Sequence, residues 1–286
     1  MTHTYTSRSW LLACAIGLVS IVGCSRSVET SVAQAKQHVS SLVRIAGSDV
    51  EELRRGMPEG ASQMRVVFQS KVAARDDLAE VRKQLDRARN HIQDLRVAKS
   101  TFFVLLERDG TILRGDREPD LLSGKNLFAA FPETRKSLDG KVIVTRGEMP
   151  EAAGVKGRRD GQFVVSLPVT VDGAIAGVYA SGWSWAAYAY RLQNAVVSDV
   201  RGRKKERDKD PLLYVYVVVD DAVFGAPLAP EVNAQAIGKL SPLSKVNADV
   251  VYAAPLEISG REFGVAIQRA TSLGQNVAIA VLRSET

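Results

Sequence analysis

Ser166-Leu167-Pro168-Val169-Thr170-Val171-Asp172-Gly173-Ala174-Ile175-Ala176-Gly177-Val178 lies without a gap over Ala253-Ala254-Pro255-Leu256-Glu257-Ile258-Ser259-Gly260-Arg261-Glu262-Phe263-Gly264-Val265. Pro168, Gly173, Gly177 and Val178 match Pro255, Gly260, Gly264 and Val265. Each position has a physical use. Proline suits a strand start or an edge, and the second glycine marks a close backbone approach. The first glycine makes the hairpin turn, for which Asp172-Gly173 is a strong signal. The shared order reads as two copies of one β-rich unit. Chance agreement of common hairpin chemistry is the alternative.

Strand patterns extend outward from both hairpins. In the first copy, Thr101-Phe102-Phe103-Val104-Leu105-Leu106-Glu107 is a short apolar run, Arg108-Asp109-Gly110 a turn and Thr111-Ile112-Leu113-Arg114 a second strand. The hairpin itself takes Gln162 to Val171 and Ala174 to Gly182, with a helix expected from about Trp183 to Val200. Pro211 to Asp220 opens the second copy, and Asn276 to Arg283 reads as its last strand. Each copy begins with an apolar strand ending in aspartate, Asp109 or Asp220. Residues 115–161 have no counterpart of equal length in the second copy.

The N-terminal part is helical by period. Val28, Val32, Ala35, Val39, Leu42, Ala46 and Leu53 step by threes and fours, with Asp49 interrupting. Gly56-Met57-Pro58-Glu59-Gly60 is expected to break this helix, since proline lacks a backbone donor and glycine is a poor helix former. A second helix is expected over about 61–99, with Met64, Val67, Ala74, Leu78, Val81, Leu85, Ala88, Ile92 and Leu95 as its stripe and Lys71 its polar member. Such a heptad-like stripe suits a coiled-coil seam. At ~1.5 Å per residue the helix would span ~60 Å. It can pair with the first helix, with a second copy in a homodimer, or with the modules that follow.

Before these helices, Arg8 and the apolar run from Trp10 to Val22 form a short secretory signal. It is too short for a spanning helix, which needs ~20 apolar residues. Ile21-Val22-Gly23-Cys24 resembles the bacterial lipobox. That resemblance implies cleavage after Gly23, lipid on Cys24 and a membrane attachment by buried acyl chains. An ordinary cleaved signal with a chance cysteine, or an uncleaved anchor, is the alternative. Cys14 and Cys24 are the only cysteines, so a mature chain starting at Cys24 has no disulfide. Ser25 follows the cysteine, which favours the periplasmic face of an outer membrane within the cell envelope.

The net charge of +6 is spread along helices with acids interleaved, and export argues against nucleic acid as a partner. One dense run, Arg201 to Asp210, holds six bases and three acids and reads as a solvated linker. The resulting division is a signal over 1–23, a helical region over 24–100, a first module over 101–200, a linker over 201–210 and a smaller module over 211–286. The fold class is α+β: long N-terminal helices followed by two modules with antiparallel sheets.

With this organisation the chain resembles bacterial sensor ectodomains of the double Cache type, which carry a long helix and two PAS-like modules. Phe102 to Leu113, Gly124-Lys125-Asn126-Leu127-Phe128-Ala129-Ala130-Phe131-Pro132 and the Gln162–Gly182 hairpin carry the resemblance. It implies a sensory role, a small-molecule ligand and a signalling partner. Two departures stand out. No second apolar span follows the modules, so signalling is expected to pass through a partner membrane protein. No aligned set of arginine, tryptophan, tyrosine and aspartate matches the amino-acid-binding members.

Enzyme chemistry has little support in the sequence. His38 and His91 lie far apart on predicted helices and read as solvated, and no metal spacing, phosphate loop or nucleophile elbow is present. No cofactor is expected. A ligand pocket has better candidates in the first module. Tyr179, Ser181 and Trp183 share a strand face, and Trp185 and Tyr188 follow on a helix. Plain packing of sheet against helix is the alternative for each. Arg114, Lys125 and Arg146 supply cations for a carboxylate or phosphate. A structural lipoprotein that oligomerises through its helices is the competing function.

Overall fold

The computed structural model describes residues 13–69, 78–97, 99–153, 161–203, 209–247 and 250–285, with side chains from Ser27 onward. The signal and lipidation site fall largely outside the described residues: the backbone of 13–26 is helical, and the Cys24 side chain is not described.

One helix, α1 (Ala13–Gln63), runs through the break expected at Gly56–Gly60. Pro58 sits on its exposed side, where water can satisfy the carbonyl that proline leaves without a donor. Gly56 and Gly60 face inward. A Cβ on Gly56 would come within 2.7 Å of the Leu95 side chain, and one on Gly60 within 2.5 Å of the Tyr179 ring. These glycines admit close neighbours and do not end the helix.

The single 61–99 helix is absent. In its place stand the end of α1, then α2 (Arg65–Gln69), α3 (Leu78–His91) and α4 (Gln93–Val97). Residues 70–77, with Lys71 and Ala74, lie outside the described residues. α3 and α4 fold back on α1, and α3 also meets β1 (Phe102–Leu106) and β2 (Ile112–Gly115). Met64, Val67, Val81, Leu85, Ala88, Ile92 and Leu95 are all buried, while Leu78 is exposed. The stripe is therefore satisfied within the chain.

Each module is a five-stranded antiparallel sheet. The first contains β1, β2, β3 (Ile143–Glu148), β4 (Gly161–Val171) and β5 (Ala174–Ser184), in the order β2-β1-β5-β4-β3. The second contains β6 (Leu212–Val219), β7 (Ala222–Gly225), β8 (Tyr252–Ile258), β9 (Arg261–Arg269) and β10 (Val277–Ser284), in the order β7-β6-β10-β9-β8. The two orders are the same path traced twice.

The matched residues occupy matched places. Asp172 and Gly173 have φ of 49° and 80°, and Ser259 and Gly260 have 53° and 75°. Positive φ at both central residues is the turn that fits the right-handed strand twist. Pro168 lies on β4 past Ser166, where pairing to β3 ends, and Pro255 lies on the edge strand β8. In both places proline's missing donor costs no ladder bond. A Cβ on Gly264 would come within 2.3 Å of the Ser31–Val32 backbone, and one on Gly177 within 2.4 Å of the Leu106 carbonyl and the Phe68 ring.

Both sheets are covered on both faces, which is why β1 is apolar throughout. Phe103 and Leu105 point into a core shared with α1, while Phe102, Val104 and Leu106 point the other way. The shared core continues without interruption from the first sheet to Val215, Val217, Ile279 and Val281 of the second. Helix α7 (Trp185–Arg203) joins the modules and contributes Tyr188, Leu192 and Val196 to it. The charged run is helical over Arg201–Arg203. Lys209 and Asp210 are exposed, and 204–208 lie outside the described residues.

Candidate functional site

The outer face of the first sheet lies under residues 115–161, whose counterpart in the second module is shorter and carries the helix Glu231–Lys239. Within 115–161, α5 (Leu127–Ala130) is capped by Asn126, whose Oδ1 accepts from the Ala129 N–H at 3.0 Å. A 3-10 turn over Pro132–Asp139 and α6 (Pro150–Ala153) complete the described part. Leu127, Phe128, Phe131 and Met149 fill most of the space over Val104, Val164, Val178 and Ala180. Residues 154–160 lie outside the described residues.

One recess of about 180 Å³ is left in this layer, between the 115–122 loop and α6. Its floor is Phe102, Leu122 and Ala152, and its rim carries Arg117, Glu118 and Glu151. Two buried carboxylates fix the loop. Asp120 accepts from Gly115 N at 2.8 Å, Leu122 N at 2.9 Å and Arg114 Nη1 at 3.0 Å. Asp116 accepts from Phe103 N at 2.9 Å and from the Arg89 guanidinium. Burial pushes the Asp116 carboxyl up from the usual range, with Arg89 and then the Phe103 N–H opposing. Glu118 is held by Arg82 and Arg114, and Glu151 by Lys125 at 3.5 Å. Arg117 is exposed and forms no ion pair among the described residues. The recess thus combines an apolar floor, carboxylates with partners of their own and the exposed Arg117 guanidinium, whose charge also acts on Asp116.

A second recess, of about 480 Å³, separates the two modules. Arg146 on β3 and Trp185 at the start of α7 line it from one side, Asp220, Asp221 and Phe224 from the other. Arg146 Nη2 donates to Asp220 Oδ1 at 3.0 Å across the gap.

The sequence-predicted residues separate into three groups. Arg146 and Trp185 share the inter-module recess. Arg114 and Lys125 stand behind the first-module recess, bound to the carboxylates of its wall. Tyr179, Ser181, Trp183 and Tyr188 line neither. Period-two alternation does place the first three on one face, and that face is the one α1 covers. Trp183 stacks between Phe163 at 4.6 Å and Tyr188 at 4.5 Å, and Tyr179 lies 6.1 Å from Phe103. Ser181 Oγ donates to the Phe102 carbonyl at 2.8 Å, and Tyr188 Oη donates to Asp49 at 2.9 Å. They pack sheet against helix. Burial pushes both tyrosine hydroxyls well above their ordinary range.

Sequence reasoning missed Arg117, which nothing in its neighbourhood distinguishes from any loop arginine. It also placed His38 in solvent, and that is corrected: His38 is 8% exposed and sits beside Arg283 Nη1 at 2.8 Å. His91 is exposed, as read. Among the described residues no group of three or more His, Cys, Asp or Glu is placed to hold a metal ion, and no helix is long and apolar enough to cross a membrane.

No protein-family model matches the chain, and no curated protein sequence matches it. Solved structures do match. The extracellular domain described as that of histidine kinase vpHK1S-Z8 has a TM-score of 0.59 at 11% identity, covering 91% of this chain and 93% of that one. A domain of a sensory box/GGDEF family protein from Vibrio parahaemolyticus has a TM-score of 0.52 at 12% identity, covering 91% and 98%. The ligand-binding domain of the Campylobacter jejuni chemoreceptor Tlp3, in complex with L-norvaline, has a TM-score of 0.50 at 14% identity, covering 91% and 92%. At such low identity the likeness is one of fold: a long helix backed by two equivalent antiparallel sheets, the double Cache-like architecture of sensory domains.

Proposed function

We propose that this chain is a ligand-binding sensory domain outside the cytoplasm, held at the membrane by lipid on Cys24. It binds a small carboxylate-bearing molecule in the first-module recess and passes its occupancy through α1 to a partner membrane protein. The recess carries the reading. Ligand sites are mostly apolar with a few placed polar groups, and this one offers Phe102 and Leu122 as floor and Arg117 as an exposed cation at its rim. A guanidinium fork suits a carboxylate. A short aliphatic carboxylic acid matches that floor and cation together. Continuity of the core from the first sheet along α1 to the second supplies the route for the signal.

The competing scaffold reading needs the helical stripe as an oligomer seam, and the described members of that stripe other than Leu78 are buried inside the chain. The lipid anchor rests on Ile21-Val22-Gly23-Cys24, and the outer-membrane side on Ser25. Metabolic labelling with a fatty-acid analogue checks the anchor: wild type labels, Cys24→Ser does not, and equal labelling contradicts it. The function is tested by a thermal-shift screen of the full chain against amino acids and short carboxylic acids. A ligand that binds the folded state raises the melting temperature. Calorimetry of each hit should find Arg117→Ala at least tenfold weaker, and unchanged affinity in that variant would remove the recess from the account.

A further inference from the structure

We infer that the cleft where α1, the C-terminal end of α7 and the end of β10 converge is a second binding site, for a small dianion presenting carboxylate or phosphate oxygens. It is the largest of the recesses discussed, at about 620 Å³. His38, Ser41 and Arg44 follow one another at three-residue intervals and so line it from one face of α1. Arg203 and Asp199 come from α7, Lys209 from the chain beyond it, and Arg283 and Glu285 from the end of β10.

The charges are not balanced. Four cations, Arg44, Arg203, Lys209 and Arg283, face two carboxylates, Asp199 and Glu285. Both carboxylates are already spoken for. Arg203 Nη2 lies 2.8 Å from Asp199, and Arg283 Nε lies 2.7 Å from Glu285. Arg44 and Lys209 form no ion pair among the described residues. Among the described residues the excess is two positive charges, on Arg44 of α1 and on Lys209 of the chain beyond α7. Two such cations favour a ligand with two negative groups over one with a single group.

Arg283 gives the cleft a fixed back wall. It is one of the few charged residues buried in the molecule, at 9% exposure, and it is held by Glu285 and His38 together. The His38 ring is kept neutral by burial first and by the Arg283 charge second. A neutral ring accepts the Arg283 hydrogen bond through Nε2 and leaves the guanidinium aimed along the wall. Arg283, held in this way, shapes the back of the cleft, and the charge available to an anion lies on Arg44 and Lys209.

The inference goes beyond the first-module recess and does not depend on it. The test is calorimetry of the full chain with succinate and with inorganic phosphate, with acetate as the monoanion control, all at one ionic strength. Succinate or phosphate should bind, and acetate should not. Arg44→Gln combined with Lys209→Gln should weaken the dianion at least tenfold. Both side chains are exposed, so the variant's melting temperature without anion should equal that of wild type. No heat from either dianion, or equal binding by wild type and the double variant, would overturn the inference. Loss of binding in Arg117→Ala with retention in the double variant would overturn it too, while supporting the first-module recess. Phosphatidic acid vesicles offer the same phosphate chemistry from a lipid. Retention on them through Arg44 and Lys209, without response to free succinate or phosphate, would overturn the small-ligand assignment.

Discussion

Asp49 is a carboxylate on the buried side of α1, where every neighbour in its stripe is apolar. Its side chain is 3% exposed, and it accepts from Arg191 Nη2 at 2.6 Å and from Tyr188 Oη at 2.9 Å. Burial pushes the carboxyl up from its ordinary range, opposed by Arg191 and then Tyr188. Removing one partner of a buried pair leaves the other charge uncompensated, a cost of several kcal/mol. Arg191 is partly exposed, so Asp49→Ala should destabilise the chain by about 2–3 kcal/mol, measured by urea denaturation. A loss below about 0.5 kcal/mol would show that α7 is not tied to α1 here. His38 makes a prediction in pH. Burial, then Arg283, lowers its pKa to about 4. The unfolded chain, with histidine near pKa ~6.5, binds more protons between these values. The contribution of His38 is therefore complete above about pH 6.5 and lost as pH falls toward 4. His38→Asn keeps an acceptor for Arg283 and does not titrate. Its stability should fall less than that of wild type across this window. Parallel curves, or an NMR titration of His38 near 6.5, would contradict the buried neutral ring.

At the scale of elements, two glycines and one leucine decide the packing. Gly177 and Gly264 sit at the same point of their two sheets, each against atoms a Cβ would overlap. Alanine should be costly at both, because backbone obstructs each: α1 at Gly264, and the Leu106 carbonyl beside the Phe68 ring at Gly177. We expect a loss of about 2 kcal/mol or more at Gly264, in the range of core overpacking; equal stability of wild type and variant would mean that α1 does not rest on β9. Leu85→Asp puts a charge into a seam that is 0% exposed. Light scattering should show unchanged mass and the melting temperature should drop, because the partner of the stripe is this same chain; a lost oligomer with unchanged melting would mean the reverse. The hairpins were legible because a positive-φ turn and a close approach are local demands, met by Asp172-Gly173, Ser259-Gly260 and the glycines after them. The course of the helices was not. Gly56 and Gly60 look like breakers until Leu95 and Tyr179 are seen against them, and Asp49 looks like an interruption until Arg191 arrives from 142 residues away. The aromatic cluster was likewise legible as one face, but alternation alone does not say whether a ligand or α1 covers that face.

The whole molecule is two copies of one sheet strung on a single helix, with one shared core along that helix and a separate core on the outer face of each sheet. The contact across the inter-module recess is weaker than the shared core. Arg146 and Asp220 are both part-exposed, at 31% and 54% of their side chains, and exposed pairs contribute about 0–1 kcal/mol. Asp220→Ala should therefore change global stability by less than about 1 kcal/mol, with α1 and α7 holding the modules together. A larger loss would make the ion pair a structural clasp. What distinguishes the copies is the greater length of the 115–161 segment over its counterpart in the second module, and the proposed ligand lies there. Hydrogen exchange of the full chain, with and without a hit from the amino-acid and carboxylic-acid screen, tests that assignment most directly. The account predicts slowed exchange at 115–122 and 150–153, accompanied by a change along α1, and loss of both in Arg117→Ala. Protection confined to the second module, or none at those segments in a chain saturated with ligand, would contradict it.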